Sequence, residues 1–138
     1  MKALQTLIKL SRTKVEDKQK EIAVFREKIA NIEGRIVELE QAIVDEEAAS
    51  KGSLELQGYF GPFHQRALKQ IEGYQKDIAR LEQELAPHLD ELAELFAEQK
   101  RVEILYERRK EEARKLMLKK EQQELDEIAT QRHIRKTR

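Results

Sequence analysis

Cysteine and tryptophan are absent from this 138-residue sequence, and it holds only 5 Gly, 2 Pro, 3 Tyr and 4 Phe. Without cysteine there is no disulfide framework, no thiolate ligand and no thiol nucleophile, a composition that suits the cytosol. With so few aromatics and chain breakers, a turn-rich globule around a bulky core is excluded as well. No apolar run approaches the roughly 20 residues that cross a bilayer. Lys9 interrupts the N-terminal cluster Leu4, Leu7, Ile8 and Leu10, and no small-residue cleavage site follows it, so the start does not read as a signal peptide. An excess of one charge is missing too. Lys+Arg and Asp+Glu each number 27, so the overall balance points to neither nucleic acid nor a membrane surface.

Familiar reactive constellations are also lacking. His64, His88 and His133 are too far apart to share a helix face, and there is no His-x-x-x-His pair, so no metal site is expected. No glycine loop could cradle a phosphate. The carboxylates fall at solvated helical spacings rather than as the buried dyad that acid/base chemistry needs. The expectation is a non-enzyme with no catalytic residues, no metal and no cofactor.

What the sequence does have is charge, 39% of all residues, laid over a seven-residue apolar repeat. Ile8, Val15, Ile22, Ile29, Ile36 and Ile43 occupy one position of that repeat, and Leu4, Phe25, Ile32 and Leu39 occupy its partner position. A strict period of seven keeps a stripe facing another helix only when the two supercoil left-handedly, so this is a coiled-coil seam. The pattern stops after Ser50, where Lys51-Gly52-Ser53 and Gly58-Tyr59-Phe60-Gly61-Pro62 predict a reversal. A second seam follows: Ala67, Ile71, Tyr74, Ile78, Leu81, Leu85, His88, Leu92, Leu95, Gln99, Val102 and Tyr106.

The predicted fold is all-α, a single domain forming a long two-helix antiparallel coiled-coil hairpin whose second helix is longer and overhangs at the C-terminus. Helix 1 is expected over about 2–50, the turn over about 51–62, and helix 2 over about 63–135 with a kink near Pro87. Equal rise along both helices makes facing residue numbers sum to about 114. That register pairs Ile36 with Ile78 and Ile22 with Leu92, sets His88 near Phe25, and brings Lys18 near Leu95 and Gln99. The polar layer at Lys18 predicts a looser open end than turn end. Beyond about residue 113 the second helix has no partner, and an isolated helix of roughly 25 residues is marginal in water.

Charge is unevenly placed. Residues 33–57 carry seven acids against Arg35 and Lys51, whereas residues 108–138 carry eleven bases against six acids. Glu121, Glu124, Asp126 and Glu127 break the basic segment and no aromatics interleave it, which favours a protein partner over nucleic acid. At the reversal, Tyr59, Phe60 and Phe63 with Leu54 and Leu56 form an apolar group that a two-helix end has little protein to cover, so this group is a candidate binding tip.

The C-terminal run Leu125-Asp126-Glu127-Ile128-Ala129, followed by Gln131-Arg132 and Arg135-Lys136, joins the Leu4-to-Val15 start and the two unequal helices in a pattern that resembles the FliJ family of flagellar export proteins and the related stalk subunits of injectisomes. The resemblance implies a non-enzymatic, central-stalk-like part of a type III export apparatus. It implies binding to an export ATPase hexamer through Leu4, Leu7, Ile8, Leu125, Ile128, Arg132 and Arg135. Contacts with the cytoplasmic domain of the export gate are implied near Phe63, Ala67, Gln70 and Tyr74, beside the tip residues Tyr59 and Phe60. Export chaperones are implied as further partners, with a chain that is monomeric alone and cytoplasmic, recruited peripherally to the inner-membrane export apparatus without inserting in it. The residues by themselves leave a structural or scaffold coiled coil unrelated to export as the alternative.

Overall fold

In the computed structural model, which describes residues 1–137, two helices account for nearly all of the chain: α1, Lys2–Ser50, and α2, Leu54–Thr137. No strand occurs among the described residues. The fold is an all-α helical hairpin, as the doubled heptad pattern predicts. It divides into two compact units, one formed by Val15–Glu94 and the other by Met1–Lys14 with α2 from Leu95 onward.

Within the Val15–Glu94 unit the two seams face each other antiparallel. Val15, Ile22, Ala67, Ile71 and Leu85 are buried, while Phe25, Ile29, Ile32, Ile36, Leu39, Ile43, Tyr74, Ile78, Leu81, His88 and Leu92 are half-buried. Half burial is the normal condition here, because a seam residue between two helices is covered by one neighbouring helix and stays open at the sides. The rings of Phe25 and His88 lie 5.1 Å apart, as the register predicts. The Arg35 guanidinium sits 6.0 Å from the centre of the Tyr74 ring. The Lys18 ammonium meets His88 and Glu91, acceptors that its long stem reaches on the facing helix.

In the other unit Leu4, Ile8 and Ser11 are buried against a stretch of α2 in which Leu95, Gln99, Val102, Glu103 and Tyr106 are half-buried. The Ser11 hydroxyl donates to the Ile8 carbonyl at 2.9 Å, which satisfies a polar group in the seam within its own helix. Gln5 Nε2 donates to the Tyr106 hydroxyl at 3.3 Å, and Arg12 pairs with Glu103 at 3.4 Å. Burial does not follow the predicted contrast of loose open end and firm turn end. Leu4, Val15 and Ile22 are among the most buried residues of α1, and Ile36 and Ile43 are less so. Burial in such a seam follows the bulk of the local partner, and Tyr106 supplies bulk near Leu4 and Ile8.

The predicted turn at 51–62 is too long. The reversal occupies Lys51–Ser53, and Gly58, Gly61 and Pro62 lie inside α2. Ser53 starts the helix: its carbonyl accepts from the Gln57 amide at 3.1 Å, and its hydroxyl accepts weakly from the Leu56 amide at 3.4 Å. Ser50 closes α1 by donating its hydroxyl to the Glu47 carbonyl at 2.8 Å. No glycine uses a positive φ, so the turn does not draw on the left-handed freedom of Gly52. Pro62 is accommodated for a steric reason. A proline ring crowds the Cβ of the preceding residue, and here that residue is Gly61, which has none; the hydrogen bond to the Gly58 carbonyl is still lost.

Pro87 lies inside α2, which continues through it unbroken. It removes the hydrogen bond to the Gln83 carbonyl without any glycine to relieve the crowding. Replacing Pro87 with Ala is expected to raise the unfolding free energy by about 1–3 kcal/mol, read as an increased urea midpoint at unchanged slope.

Candidate interaction surfaces

Four groups of side chains stand out for what they present to solvent or to each other. The first is the C-terminal part of α2. Every described residue from Glu107 to Thr137 is exposed, including Leu116, Met117, Leu118, Leu125, Ile128 and Ile134. Nothing among the described residues covers this apolar set, and the bases Arg114, Lys115, Lys119, Lys120, Arg132, Arg135 and Lys136 around it outnumber the acids Glu121, Glu124, Asp126 and Glu127. Arg114 Nε donates to Glu111 at 3.0 Å, an i,i+3 link that raises the Arg114 pKa and lowers that of Glu111 while supporting the helix locally. The arrangement is a net-basic helix whose apolar residues are spread around its axis, Leu116, Met117 and Leu118 being consecutive, so it suits a partner that surrounds it with apolar and acidic surface.

The N-terminal turn divides in two. Leu4 and Ile8, predicted as partner contacts, are spent in the seam, whereas Leu7 and Leu10 are about half exposed. The buried face is centred on Leu4, Ile8 and Ser11, and Leu7, about 100° round the helix from Ile8, falls at its margin and stays exposed. Of the predicted N-terminal contacts, Leu7 is the one free to meet a partner. Leu10, which the sequence reading did not single out, shares its exposure at i+3.

The predicted tip and gate residues are likewise mixed. Tyr59 is 70% exposed and Leu54 is 88% exposed. Phe60 stacks on His64 with ring centres 5.4 Å apart, and both rings are half-buried. Phe63 is half-buried beside a shallow pocket of about 260 Å³ whose walls include Ser50, Leu56, Tyr59 and Arg66. Ala67 belongs to the seam, 3% exposed, while Gln70 is exposed and donates to the Tyr74 hydroxyl at 3.3 Å. The turn region thus presents Leu54, Leu56, Tyr59 and Gln70, with Phe60, Phe63 and Tyr74 partly withdrawn.

The fourth group is the polar layer inside the Val15–Glu94 unit. The Lys18 ammonium has three donors and meets three acceptors: Glu21 at 2.9 Å, Glu91, and His88 Nδ1 at 3.2 Å. Lysine can only donate, so this contact is a hydrogen bond in the tautomer whose Nδ1 is the acceptor, and the same Nδ1 lies 3.4 Å from a Glu21 carboxylate oxygen. The hydrogen bonds with Glu91 and Glu21 raise the Lys18 pKa, and the bond from Lys18 lowers that of Glu91. Across the other pairing, Gln99 first and then Arg12 hold the Glu103 carboxyl below its usual range. These are structural ties between helices, and no group of three or more His, Cys, Asp or Glu residues placed to hold a metal occurs among the described residues. No helix among them is long and apolar enough to cross a membrane.

Compared with known families, residues 1–138 match the one described as Flagellar FliJ protein. No curated protein and no solved structure matches the chain.

The Lys18 layer makes a two-sided pH prediction. The depressed Glu91 pKa supports the fold above the ordinary glutamate value of 4.5, a support lost as pH falls through the lower folded value. The raised Lys18 pKa gives support that is complete below 10.5 and lost as pH rises through the higher folded value. Urea titrations followed by circular dichroism are expected to show wild type losing stability at both limits, and Lys18→Met flattening both.

Proposed function

As a member of the flagellar FliJ family, the chain is a component of flagellar protein export, and from that premise we propose that it acts as a stalk which binds and stimulates the export ATPase hexamer and links it to the export gate. The family is a non-catalytic part of the export apparatus, so the chain's contribution lies in binding and transmission. The observation that carries the ATPase reading is the uncovered, net-basic end of α2 with its exposed apolar side chains. A helix with exposed Leu118, Leu125 and Ile128 beside Arg132 and Arg135 gains by entering a complementary cavity. Leu7 adds a contact from α1, while Leu4 and Ile8 support it from the seam.

The gate reading rests on the turn region. Tyr59 and Gln70 offer exposed contacts, with Phe60, Phe63 and Tyr74 partly available beside them and Ala67 fixing the backbone beneath. Tyrosine and phenylalanine at a rim are effective interface anchors, because they bring large apolar area with few rotatable bonds. Export chaperones complete the proposed partner set, and recruitment to the inner-membrane apparatus would follow from these contacts without insertion in the bilayer. The uncomplexed chain is proposed to be monomeric.

The test is stimulation of the cognate export ATPase by the purified chain, compared with a form truncated after Arg114 and with Leu125→Asp/Ile128→Asp. Intact chain is expected to raise hydrolysis several-fold, and both altered forms to lose most of that gain at unchanged helicity of residues 1–114. Stimulation that survives both changes would refute the assignment of the ATPase contact to this end. For the gate, Tyr59→Ala/Gln70→Ala is expected to weaken binding to the gate's cytoplasmic domain at least about tenfold, or roughly 1.4 kcal/mol, while ATPase stimulation persists.

A further inference from the structure

The outward face of α1 between residues 30 and 48 carries a second regular pattern that the hairpin does not use. Ala30, Gly34, Val37, Gln41, Val44 and Ala48 recur at alternating spacings of four and three, the spacing of a helix-pairing seam, and all six are exposed. None is charged, in a chain where 39% of residues are. Val37 and Val44 are 62% and 57% exposed, which wastes apolar area, and a β-branched residue on an open helix face also forgoes helix propensity.

Gly34 sharpens the case. A mid-helix glycine is unfavourable relative to alanine, and the usual internal reason for one is close packing. Here a Cβ built on Gly34 would meet nothing within 4 Å. No neighbour inside the chain requires the glycine, whereas a helix laid along Val37 and Val44 from outside would come closest to the backbone at Gly34.

The rims of this face define the occupant. Glu33, Glu40 and Glu47 flank it on one side and Asn31, Glu38 and Asp45 on the other, so it has five acids and no base. None of the five forms an ion pair among the described residues, and Asp45 only accepts from Gln41 Nε2 at 2.9 Å. We infer that this face of α1 is a docking surface for an amphipathic helix of a partner protein, one whose uncharged stripe is bordered by lysine or arginine on both sides. The acids supply the charge complementarity, the valines supply the apolar contact, and Gly34 sets the depth of approach. The surface is separate from the basic end of α2 and from the turn residues, so it stands independently of the ATPase and gate contacts.

The probe is a synthetic helical peptide of about 21 residues, three heptads, with an alanine and leucine stripe bordered by lysines. Its binding to the full chain is read by fluorescence anisotropy at low ionic strength. The lysine-bordered peptide is expected to bind at least about tenfold more tightly than the same stripe bordered by glutamates. Val37→Asp separates docking from charge attraction: added negative charge strengthens a purely electrostatic association, whereas loss of the apolar contact weakens docking several-fold. Gly34→Ala is expected to raise the melting temperature by roughly 4 °C through helix propensity while weakening the peptide several-fold, a divergence that a folding defect cannot mimic. Equal binding of the two peptides, or tighter binding to Val37→Asp, would overturn the proposal. So would sedimentation showing that the chain alone self-associates in a Val37-dependent way, since the occupant would then be a second copy.

Discussion

A seam between only two helices covers each apolar side chain from one direction, and this constraint governs the rest of the molecule. Stability must be collected from many half-buried residues in register, because there is no third layer to complete a core. The strict repeat of isoleucine on α1 against aliphatic residues on α2 meets that demand, and exceptions to it are satisfied individually. Ser11 bonds within its own helix, and Lys18 finds one acceptor for each of its three donors. Polar seam residues without such partners would cost more than a two-helix structure can spare.

The same constraint explains why the candidate contact residues are spread over outer faces and helix ends. Whatever the chain presents to partners must come from residues the seam does not consume. Leu4 and Leu7 illustrate the division within a single turn: one is buried by the repeat, the other is released by it. Beyond Tyr106 the seam ends on α2, and all side chains of the following helix become available at once.

Periodicity made the pairing of α1 and α2 legible in the sequence, including the meeting of Phe25 with His88, because a period of seven constrains every residue along the seam together. Local punctuation was less trustworthy. Gly58, Gly61 and Pro62 look like a turn, yet a glycine just before the proline eases its entry into α2, and the reversal occupies three residues. The position of the Lys18 ammonium depended on side-chain reach, which residue spacing does not encode. Among the residues assigned to partners, exposure at the end of α2 followed from the loss of a facing helix, whereas the burial of Leu4, Ile8 and Ala67 shows that apolar character alone does not distinguish a seam residue from a contact residue.

The shortness of the Lys51–Ser53 link has a consequence for how the chain finds its partner helix. Two separate helices of this composition would pair only as far as their concentration allowed, and two whole chains could equally pair with each other. A three-residue tether holds the matching segments within one molecule at an effective concentration on the order of millimolar. Pairing is therefore insensitive to how much protein a cell makes. Since contacts next to the link close the smallest loops, the seam can zip outward from Ser50 and Ser53, each new layer being brought into reach by the one before it.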